Sequence, residues 1–470
     1  MSVKVAGPSA VSLFSSAGIG DLGLLASGFD VIASSELIKQ RHDLYSANFP
    51  SAHCFTGDIR EHKEDLVKYV RGKLNGDDLF LLLATPPCQG MSTNGAGKLL
   101  AEIRAGNRPP MDERNRLIVP TMDVVKALRP QWLVLENVPG MQHAVILDRA
   151  GKPINLLEFI RREIGPDYVG SSEVVSCSDY GVPQVRKRLI TIFTRHAEAA
   201  AYFRKHGSFL PEGGKTKPVT LRQAIGHLPA LNPCIGPMSH QEFHPLHYVQ
   251  PMDPEKYWWI ENTREGETAF NNQCVAEGCG YTGNPPHVDR TAADRADKTE
   301  SSALFCRSCG SLLPRPSLID EHTGGRRLIK GFHSAYRRMR WDEPSHALTR
   351  NFPFEASDNK IHPEQHRPLS IYEAMILQTI ADYDFSFDLN GKRVGRKVIA
   401  DVIGESVPPR LIEHISKRLL TLSALSALTT SVVKDSSLID QRRALPSRGP
   451  GGRGSSAETA GFLARAGMGR

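Results

Sequence analysis

The chain has 470 residues, a formal net charge of +7 and a composition that is 40% hydrophobic and 23% charged. This length allows two or three domains with a large core, and the composition is that of a globular protein. No apolar run approaches the roughly 18–20 residues of a membrane span, and the N-terminus lacks the apolar segment of a secretory signal. We therefore expect a cytoplasmic protein whose eight cysteines are reduced, metal-binding or catalytic rather than paired in disulfides.

Short apolar runs alternate with amphipathic stretches up to about residue 196. The predicted strands are Ala10–Phe14, Asp30–Ser34, Leu79–Ala84, Gln131–Leu135, Val169–Ser176 and Leu189–Thr194. The predicted helices are Glu61–Leu74, Arg116–Leu128 and Leu156–Ile164. Such alternation predicts an α/β fold in which a mostly parallel sheet carries helices on both faces.

The regular pattern dissolves between about residues 196 and 344, which are rich in Pro, Gly, His and Trp. We expect an irregular region of short strands and loops there. Helices are predicted again over Ser370–Thr379, where Glu373 has the spacing of a capping box, and over Pro408–Leu422. Beyond Ala424 the chain is rich in Ser, Gly and Arg, and it lacks the apolar content that offsets ordering entropy. A disordered basic tail is predicted.

Small side chains and acids follow the first predicted strands. Residues 12–20 form a small-residue turn, which lets a ligand approach the backbone closely. Glu36 ends the second strand and suits a ribose diol, and Asp58 and Ile59 follow the third element, where they suit an adenine base. Together these residues outline a nucleoside pocket. The spacing is not the G-x-G-x-x-G fingerprint, so a nicotinamide cofactor is not favoured.

A second group of polar side chains combines a thiol, a carboxylic acid and guanidinium groups. Cys88 follows the third predicted strand and two prolines, and it is a candidate nucleophile at the edge where open α/β sheets place their chemistry. Glu136 follows the next strand, and Arg186 and Arg188 precede the last one. A thiolate, an acid that protonates a ring nitrogen and an arginine that holds an exocyclic oxygen suit addition to an electron-poor ring. Taken singly, each residue also fits a structural role in a turn or a salt bridge.

A set of short motifs follows in order along the chain. The motifs are Phe14-x-x-x-Gly18, Gly57-Asp58-Ile59, Pro86-Pro87-Cys88-Gln89-Gly90 with Ser92, Glu136-Asn137-Val138, Gln184-x-Arg186-x-Arg188, Arg367-Pro368-Leu369-Ser370 and Gly404-Glu405-Ser406-Val407-Pro408-Pro409. As an ordered set they resemble the DNA (cytosine-5) methyltransferases of bacterial restriction-modification systems. The resemblance implies a Rossmann-like methyltransferase sheet, dependent on S-adenosylmethionine, with an inserted irregular target-recognition domain.

The resemblance also implies a mechanism. One cytosine is flipped out of duplex DNA, because its ring carbon 6 is out of reach in a stacked duplex. Cys88 adds to carbon 6, Glu136 contacts ring N3 and the exocyclic amine, and Arg188, helped by Arg186, lies near O2 and the backbone. Carbon 5 then takes the methyl group of S-adenosylmethionine, and elimination releases Cys88. The loop Gly90–Arg114 resembles the mobile loop that closes over DNA in this family.

The implied cofactor residues lie in several of the motifs. They are Phe14, Ser16, Gly18, Ile19, Glu36, Asp58, Ile59, Pro86, Glu405 and Ser406. In the family pattern, Phe14 stacks on the adenine and Glu36 binds the ribose. Two positions depart from that pattern: Ser16 stands where Gly is usual, and Glu405 stands where Asn is usual. The additional anion either weakens cofactor binding or pairs with the amino group of the cofactor.

The inserted region, residues 197–366, is expected to recognise the DNA sequence. It contains four cysteines with the spacing of a zinc ribbon over residues 274–309, namely Cys274, Cys279, Cys306 and Cys309. Free reduced thiols are the alternative. The predicted DNA contacts are Gln89, Ser92, Arg327, Lys330, Arg337 and Arg338. For the arginines, a solvated basic face is the alternative.

The predicted organisation is a catalytic domain over residues 1–196, the recognition region 197–366, a return to the catalytic domain over 367–422 and the tail 423–470. The expected partners are double-stranded DNA and a cognate restriction endonuclease without a stable complex, for a monomer located at the bacterial nucleoid. Two alternatives stay open. One is a transfer RNA cytosine-5 methyltransferase, against which the large insert argues. The other is a catalytically silent DNA-binding regulator, suggested by Ser16 and Glu405 and opposed by the intact Cys88 and Glu136.

Overall fold

The computed structural model describes residues 7–87, 113–212, 217–285, 303–329 and 334–424, and within them a seven-stranded sheet forms the centre of the fold. The strands of the described residues are β1 Ser9–Leu13, β2 Asp30–Glu36, β3 His53–Thr56, β4 Leu81–Ala84, β5 Trp132–Asn137, β6 Val145–Leu147, β7 Pro153–Asn155, β8 Val169–Ser176, β9 Gln184–Val185, β10 Lys187–Thr194, β11 Ser317–Ile319, β12 Arg326–Leu328, β13 Ser345–His346, β14 Asp388–Leu389 and β15 Lys392–Arg393. The central sheet has the order β3-β2-β1-β4-β5-β10-β8, and only β10 runs antiparallel to its neighbours.

Helices cover both faces of this sheet. The helices of the described residues, including those that lie away from the sheet, are α1 Leu22–Ala26, α2 Lys39–Asn48, α3 Ile59–Leu74, α4 Ile118–Leu128, α5 Leu156–Ile164, α6 Ala197–His206, α7 Leu221–Ile225, α8 Pro254–Glu261, α9 Ile371–Leu377, α10 Arg396–Glu405 and α11, residues 409–424. Short 3-10 helices span Glu113–Leu117, Pro139–His143, Cys177–Tyr180, Ala269–Asn271 and Ile380–Asp382. None of the helices in these described ranges is both long enough and apolar enough to cross a membrane.

Alternation along the strands builds the two main cores. Val11 of β1 and Leu82 of β4 face the layer of α3, α4 and α5. Their neighbours Ala10 and Leu81 face the opposite layer, which contains α1 and α11. Successive side chains of a strand point to opposite faces, so continuous apolar runs indicate a sheet buried on both sides.

A third core joins the C-terminal helices to the N-terminal edge of the fold. Ile371 of α9 and Val402 of α10 pack in one cluster with Ile19, which follows the turn after β1. Phe352, from the end of the inserted region, lies in the same cluster. The C-terminal helices thus lie against the turn that the sequence analysis assigns to the cofactor.

The predicted α/β fold is confirmed. The strand Val169–Ser176 and the helix Leu156–Ile164 have the predicted bounds, and the other predicted elements of this region shift by a few residues. The capping box of α9 is present, since Ser370 accepts from the backbone of Glu373 and the Glu373 side chain accepts from the backbone of Ser370. The antiparallel direction of β10 was not predicted, because the apolar pattern of a buried strand is the same in either direction.

Candidate active site

The carboxyl ends of β1 and β4 lie side by side where the strand order reverses, since β1 pairs with β2 on one side and with β4 on the other. Hydrogen bonds join the two chain segments beyond the strands. The Thr85 backbone N–H donates to the Leu13 carbonyl at 3.1 Å, and its hydroxyl donates to the Phe14 carbonyl at 3.0 Å. Open α/β sheets bind ligands in the crevice at such a switch point. This edge is therefore the candidate site.

The turn after β1 has an uncommon backbone conformation. Phe14, Ser16 and Gly18 have φ angles of 60°, 51° and 85°. Side-chain-bearing residues seldom occupy this left-handed region, and when they do they cluster at ligand sites. A Cβ atom on Gly18 would lie 2.3 Å from the Phe49 ring, so this position requires glycine. Among the described residues, the buried hydroxyl of Ser16 has no hydrogen-bond partner.

Glu36, the last residue of β2, is fixed by backbone amides. Its two carboxylate oxygens accept from the Ser16 N–H at 3.0 Å and the Ile38 N–H at 2.8 Å. Burial raises the pKa of Glu36, and the Ile38 amide and the Arg41 guanidinium oppose that shift. Each carboxylate oxygen keeps a further lone pair, so Glu36 can accept one hydrogen bond from each hydroxyl group of a diol.

Asp58 and Ile59 lie next to Glu36, because β3 pairs with β2 and Thr56 stands opposite Glu36. Asp58 caps α3, accepting from the Arg60 backbone N–H at 2.9 Å, and also receives the Arg60 side chain at 2.7 Å. The Arg60 contact lowers the pKa of Asp58. The side chain of Ile59 is buried in the core.

Pro86 is held from the neighbouring strand. The Asn137 side-chain amide donates to the Pro86 carbonyl at 2.7 Å, and both residues are buried. Cys88, Gln89 and Ser92, which the sequence analysis assigns to catalysis and DNA binding, lie outside the described residues. Asn137 belongs to the motif Glu136-Asn137-Val138, but no role was predicted for it, although an amide directly after the acid was a usable signal.

Glu136 and Arg188 form an ion pair between β5 and β10. Nε of Arg188 lies 2.6 Å from Oε1 of Glu136, and Glu136 is 7% exposed. Oε1 of Glu136 accepts no hydrogen bond with suitable geometry from any described residue. Its contact with Arg188 is therefore ionic. The structure thus brings together Glu136 and Arg188, and Glu136 directly precedes Asn137, whose amide holds Pro86.

Arg186 has a different environment from Arg188. It is 3% exposed, and it donates to the Leu348 carbonyl at 2.7 Å and the Gly404 carbonyl at 3.0 Å. Burial lowers its pKa to about 9. Gln184, from the same motif, accepts from the Leu348 N–H at 2.9 Å. Arg186 therefore joins the end of the inserted region to α10 through backbone carbonyls. From the sequence, it was expected to help Arg188 near O2 of the pyrimidine and the backbone.

Glu405 and Ser406 lie at the end of α10. The Gln378 amide donates to the Ser406 carbonyl at 2.7 Å and to its hydroxyl at 2.9 Å. Glu405 Oε2 lies 2.7 Å from Arg41 Nη2, and Oε1 lies 3.4 Å from Arg350 Nη1. The anion that departs from the family pattern is thus offset by two guanidinium groups of the protein.

Arg338 does not face solvent. It is 3% exposed, and its guanidinium donates to the carbonyls of Thr263, His362 and Ile260 at 2.7, 2.8 and 2.9 Å. Burial lowers its pKa to about 10. The DNA contact predicted for Arg338 does not fit this geometry, because its nitrogens are committed to backbone carbonyls inside the protein.

The other predicted DNA contacts differ in exposure. The Arg327 side chain is 52% exposed and lies 3.2 Å from the Asp320 carboxylate. Arg337 is partly buried and donates to the Gly266 carbonyl at 2.9 Å. Lys330 lies outside the described residues. Of this group, Arg327 is the residue whose described surroundings fit a phosphate contact.

The four cysteines of the inserted region converge. Their sulfur atoms all lie within 4.8 Å of one another. Cys274 and Cys309 are 3.6 Å apart, and Cys279 and Cys306 are 3.8 Å apart. Tetrahedral zinc with Zn–S bonds of about 2.3 Å separates its sulfur ligands by about 3.8 Å. The thiol positions therefore fit one zinc ion.

Glycines shape the two loops that carry these thiols. Gly278 and Gly280 beside the first pair, and Gly310 beside the second, have φ angles of 75°, 59° and 70°. The Cys279 N–H donates to the Ala276 carbonyl, and the Gly310 N–H donates to the Cys306 carbonyl. Such tight turns aim both thiols of a loop toward one point.

Comparisons with known proteins agree with the motif order. Residues 9–421 match the family model for the C-5 cytosine-specific DNA methylases. The type II methyltransferase M1.HgaI of Avibacterium volantium is 30% identical over 421 residues, covering 87% of this chain and 97% of that protein. The type II methyltransferase M1.HphI of Haemophilus parahaemolyticus is 26% identical over 417 residues, covering 88% and 87%.

A solved structure supports the fold independently. An E. coli protein described as a DNA modification methyltransferase encoded within a prophage superposes with a TM-score of 0.53 at 18% identity. The match covers 88% of this chain and 99% of that chain. Since the family model spans nearly all of the described fold, the chain belongs to the C-5 cytosine-specific DNA methylase family.

Proposed function

We propose that this chain methylates carbon 5 of cytosine in duplex DNA with Cys88 as nucleophile and Glu136 as the acid. Membership of the family supports the reaction and S-adenosylmethionine as the methyl donor. The observation that carries the residue assignment is the Glu136–Arg188 ion pair, located beside the Asn137–Pro86 hydrogen bond. An acid and a guanidinium therefore flank the start of the segment that leads to Cys88.

The chemistry follows from these groups. The Cys88 thiolate adds to carbon 6 of a flipped cytosine, and the electron pair of the C5–C6 double bond moves toward N3, where Glu136 holds the proton. Arg188 orients Glu136 and binds the exocyclic oxygen. S-adenosylmethionine, when bound, supplies the methyl group to carbon 5. Loss of the carbon 5 proton to solvent then restores the C5–C6 double bond and expels the Cys88 thiolate, and the N3 proton returns to Glu136.

The switch-point edge suits the nucleoside half of this cofactor. Glu36 is the proposed diol acceptor, the Ser16 hydroxyl offers an unpaired polar atom, and Phe14 is the proposed stacking partner of the adenine. Asp58 and the backbone of Ile59 border the base. The remaining proposed residues of the cofactor pocket are Gly18, Ile19, Pro86 and Ser406, with Glu405 beside Ser406 at its border.

Substitution of the nucleophile tests the assignment. We expect Cys88→Ser to abolish methyl transfer while a gel shift with duplex DNA persists, because serine keeps the shape but not the thiolate. Cys234→Ser is the matched control, since Cys234 is an exposed thiol outside the site. Retained turnover by Cys88→Ser would refute the nucleophile.

Two further measurements separate the alternative functions. Methyl incorporation into duplex DNA is compared with incorporation into transfer RNA, and activity on transfer RNA alone would overturn the proposed substrate. A covalent trap with 5-fluorocytosine duplex requires both the nucleophile and methyl transfer. A stable adduct supports an active enzyme, whereas its absence together with DNA binding would indicate a silent regulator.

We also propose the domain boundaries 1–196, 197–366, 367–422 and 423–470, with residues 197–366 as the recognition region. Gln89, Ser92, Arg327 and Lys330 are retained as proposed DNA contacts. Arg327→Gln should weaken binding to all sequences and reduce the salt dependence, because a phosphate contact carries no base specificity. A change of sequence preference without a change in the salt dependence would contradict this role.

The four-thiolate cluster is proposed as a structural zinc site. All four positions are supplied by Cys274, Cys279, Cys306 and Cys309, so no position is left for substrate. We expect the purified chain to contain about one zinc per molecule, Cys306→Ser to lose it and Cys234→Ser to retain it. A wild-type chain without zinc, measured by elemental analysis, would favour free thiols.

In the cell, we propose that the enzyme acts as a monomer at the nucleoid and protects DNA from a cognate restriction endonuclease. The type II methyltransferases among its relatives support this role. Bisulfite sequencing of DNA from cells that express the chain should give one methylated sequence context. Methylation without sequence preference would contradict a modification role.

A further inference from the structure

Glu405 connects three separate parts of the protein. It is the last residue of α10, and its two oxygens face Arg41 of α2 at 2.7 Å and Arg350 of the inserted region at 3.4 Å. Its side chain is 27% exposed, and that of Arg41 is 16% exposed. This is a partly buried ionic bridge between segments far apart in sequence, rather than a pair within one helix.

The backbone fixes the geometry of this bridge. A Cβ atom on Gly404 would lie 2.4 Å from the Arg350 amide nitrogen, so α10 and the inserted region touch through their main chains. Arg186 donates to the Gly404 carbonyl at 3.0 Å and joins the same two segments. Glu405 therefore meets Arg350 because the backbones hold them together.

Arg41 continues the network into the cofactor edge. It favours the ionised form of the buried Glu36, whereas Glu405 opposes that form. Glu36 in turn accepts from the Ser16 N–H in the left-handed turn. The backbone makes the same connection, because the Ile38 N–H donates to Glu36 at 2.8 Å and the Ile38 carbonyl accepts from the Arg41 N–H at 2.9 Å.

We propose that Glu405 is a positioning residue that acts on the cofactor pocket through Arg41, without contacting the cofactor, and that Arg350 ties this network to the inserted region. The inference rests on the proposed function and names how its cofactor site is held. Asparagine, the usual residue here by resemblance, has no charge with which to hold two guanidinium groups. The glutamate is therefore matched to Arg41 and Arg350 in this chain.

Steady-state kinetics on the full chain with saturating duplex DNA test the role. Glu405→Gln and Arg41→Gln should each raise the cofactor KM about 5-fold, the scale of a partly exposed ion pair, and leave kcat within about 2-fold. The double variant should be no worse than either single variant, because both remove one interaction. A double effect equal to the product of the single effects would overturn the proposal.

Asp401→Asn is the matched control. Asp401 lies on the same helix and pairs with Lys397 at 2.7 Å, but the Lys397 side chain is 85% exposed. We expect its cofactor KM to match that of the wild type. An increase equal to that of Glu405→Gln would mean that any lost charge on α10 has this effect, and it would refute the proposal.

Glu405→Asn distinguishes positioning from direct contact. If Glu405 positions Arg41, Glu405→Asn raises the cofactor KM as Glu405→Gln does. Arg350→Gln then also raises the cofactor KM. If Glu405 touches the cofactor as the family asparagine would, Glu405→Asn keeps or lowers the KM while Arg41→Gln leaves it unchanged, and the proposal fails. Methyl transfer by the wild type tests the proposed function separately, so the two failures are distinguishable.

Discussion

Neutralising Glu373 should destabilise the fold strongly. Glu373 and Arg367 are both fully buried, and they form a two-pronged ion pair with distances of 2.8 and 2.7 Å. The same carboxylate accepts from the Ser370 N–H at 2.7 Å as part of the capping box of α9. Glu373→Gln keeps the side-chain size but leaves the Arg367 charge buried without its counter-ion.

The pKa of Glu373 sets the magnitude. Burial raises this pKa, but the Arg367 guanidinium more than offsets burial and brings it from 4.5 to about 2. This lowering of the Glu373 pKa, at about 1.4 kcal/mol per pH unit, corresponds to about 3–4 kcal/mol of stability at neutral pH. Removal of one partner of a buried pair costs about 3–5 kcal/mol. We therefore expect Glu373→Gln to lose about 3–4 kcal/mol of unfolding free energy.

Urea denaturation at several pH values tests this reasoning. Because the folded pKa is the lower one, the stabilisation is fully present above pH 4.5 and is lost as the pH falls toward 2. The difference between the wild type and Glu373→Gln should therefore be constant near neutral pH and shrink in acid. A loss below about 1 kcal/mol at pH 7, or a difference that grows in acid, would refute the account.

Three other substitutions have expected outcomes. Gly18→Ala should lower the free energy of unfolding by about 1–3 kcal/mol, because φ is 85° and the new Cβ would lie 2.3 Å from the Phe49 ring. Thermal melts with and without cofactor measure this loss of stability. Arg338→Lys should lower the melting temperature strongly, and weaker DNA binding in a gel shift at unchanged melting temperature would contradict this. Glu163→Gln removes the charge that pairs with Lys126 at 2.7 Å and with Arg149 at 3.0 Å. It should cost about 0.5–1 kcal/mol of unfolding free energy in a denaturant titration at low salt and almost nothing at about 1 M salt.

The sheet was accessible from the sequence because its strands are buried on both faces. Leu79–Ala84 reads as one apolar run, and the structure has β4 at Leu81–Ala84. Parallel strands place their carboxyl ends at one edge, so residues at the ends of such runs, among them Glu36 and Glu136, could be assigned to one edge of the sheet before any coordinates. Strand direction was not accessible in this way, which is why β10 was not recognised as antiparallel.

The roles of individual arginines were not accessible. Arg186 and Arg188 are two residues apart in one motif, yet one donates to backbone carbonyls and the other faces Glu136. Arg337 and Arg338 are adjacent, yet Arg337 is partly exposed and donates to the Gly266 carbonyl, whereas Arg338 is 3% exposed and donates to several buried carbonyls. Sequence shows the charge but not its burial, since burial here depends on contacts between segments far apart along the chain.

Three of the buried arginines bond mainly to the backbone, unlike Arg367, which pairs with Glu373. Arg186, Arg315 and Arg338 are each at most 3% exposed, and their main acceptors are backbone carbonyls. Burial lowers their pKa values, to about 9, 10 and 10 respectively. Buried carbonyls need donors, and in an irregular region few strand neighbours supply them. A guanidinium offers five N–H donors in a fixed planar arrangement, so one arginine side chain can replace several of the backbone hydrogen bonds that a neighbouring strand would supply.

This use of arginine changes the meaning of the net charge. Arg315 donates to the carbonyls of Pro285 and Ala303, and so joins the two chain segments that carry the cysteine pairs. Its charge contributes to the formal total of +7, but it is turned inward and does not meet a phosphate. The positive charge that can attract DNA is therefore smaller than the total. We expect affinity for DNA to come from exposed cations, of which the proposed contact Arg327 is one, and its salt dependence to reflect their number rather than the composition of the chain.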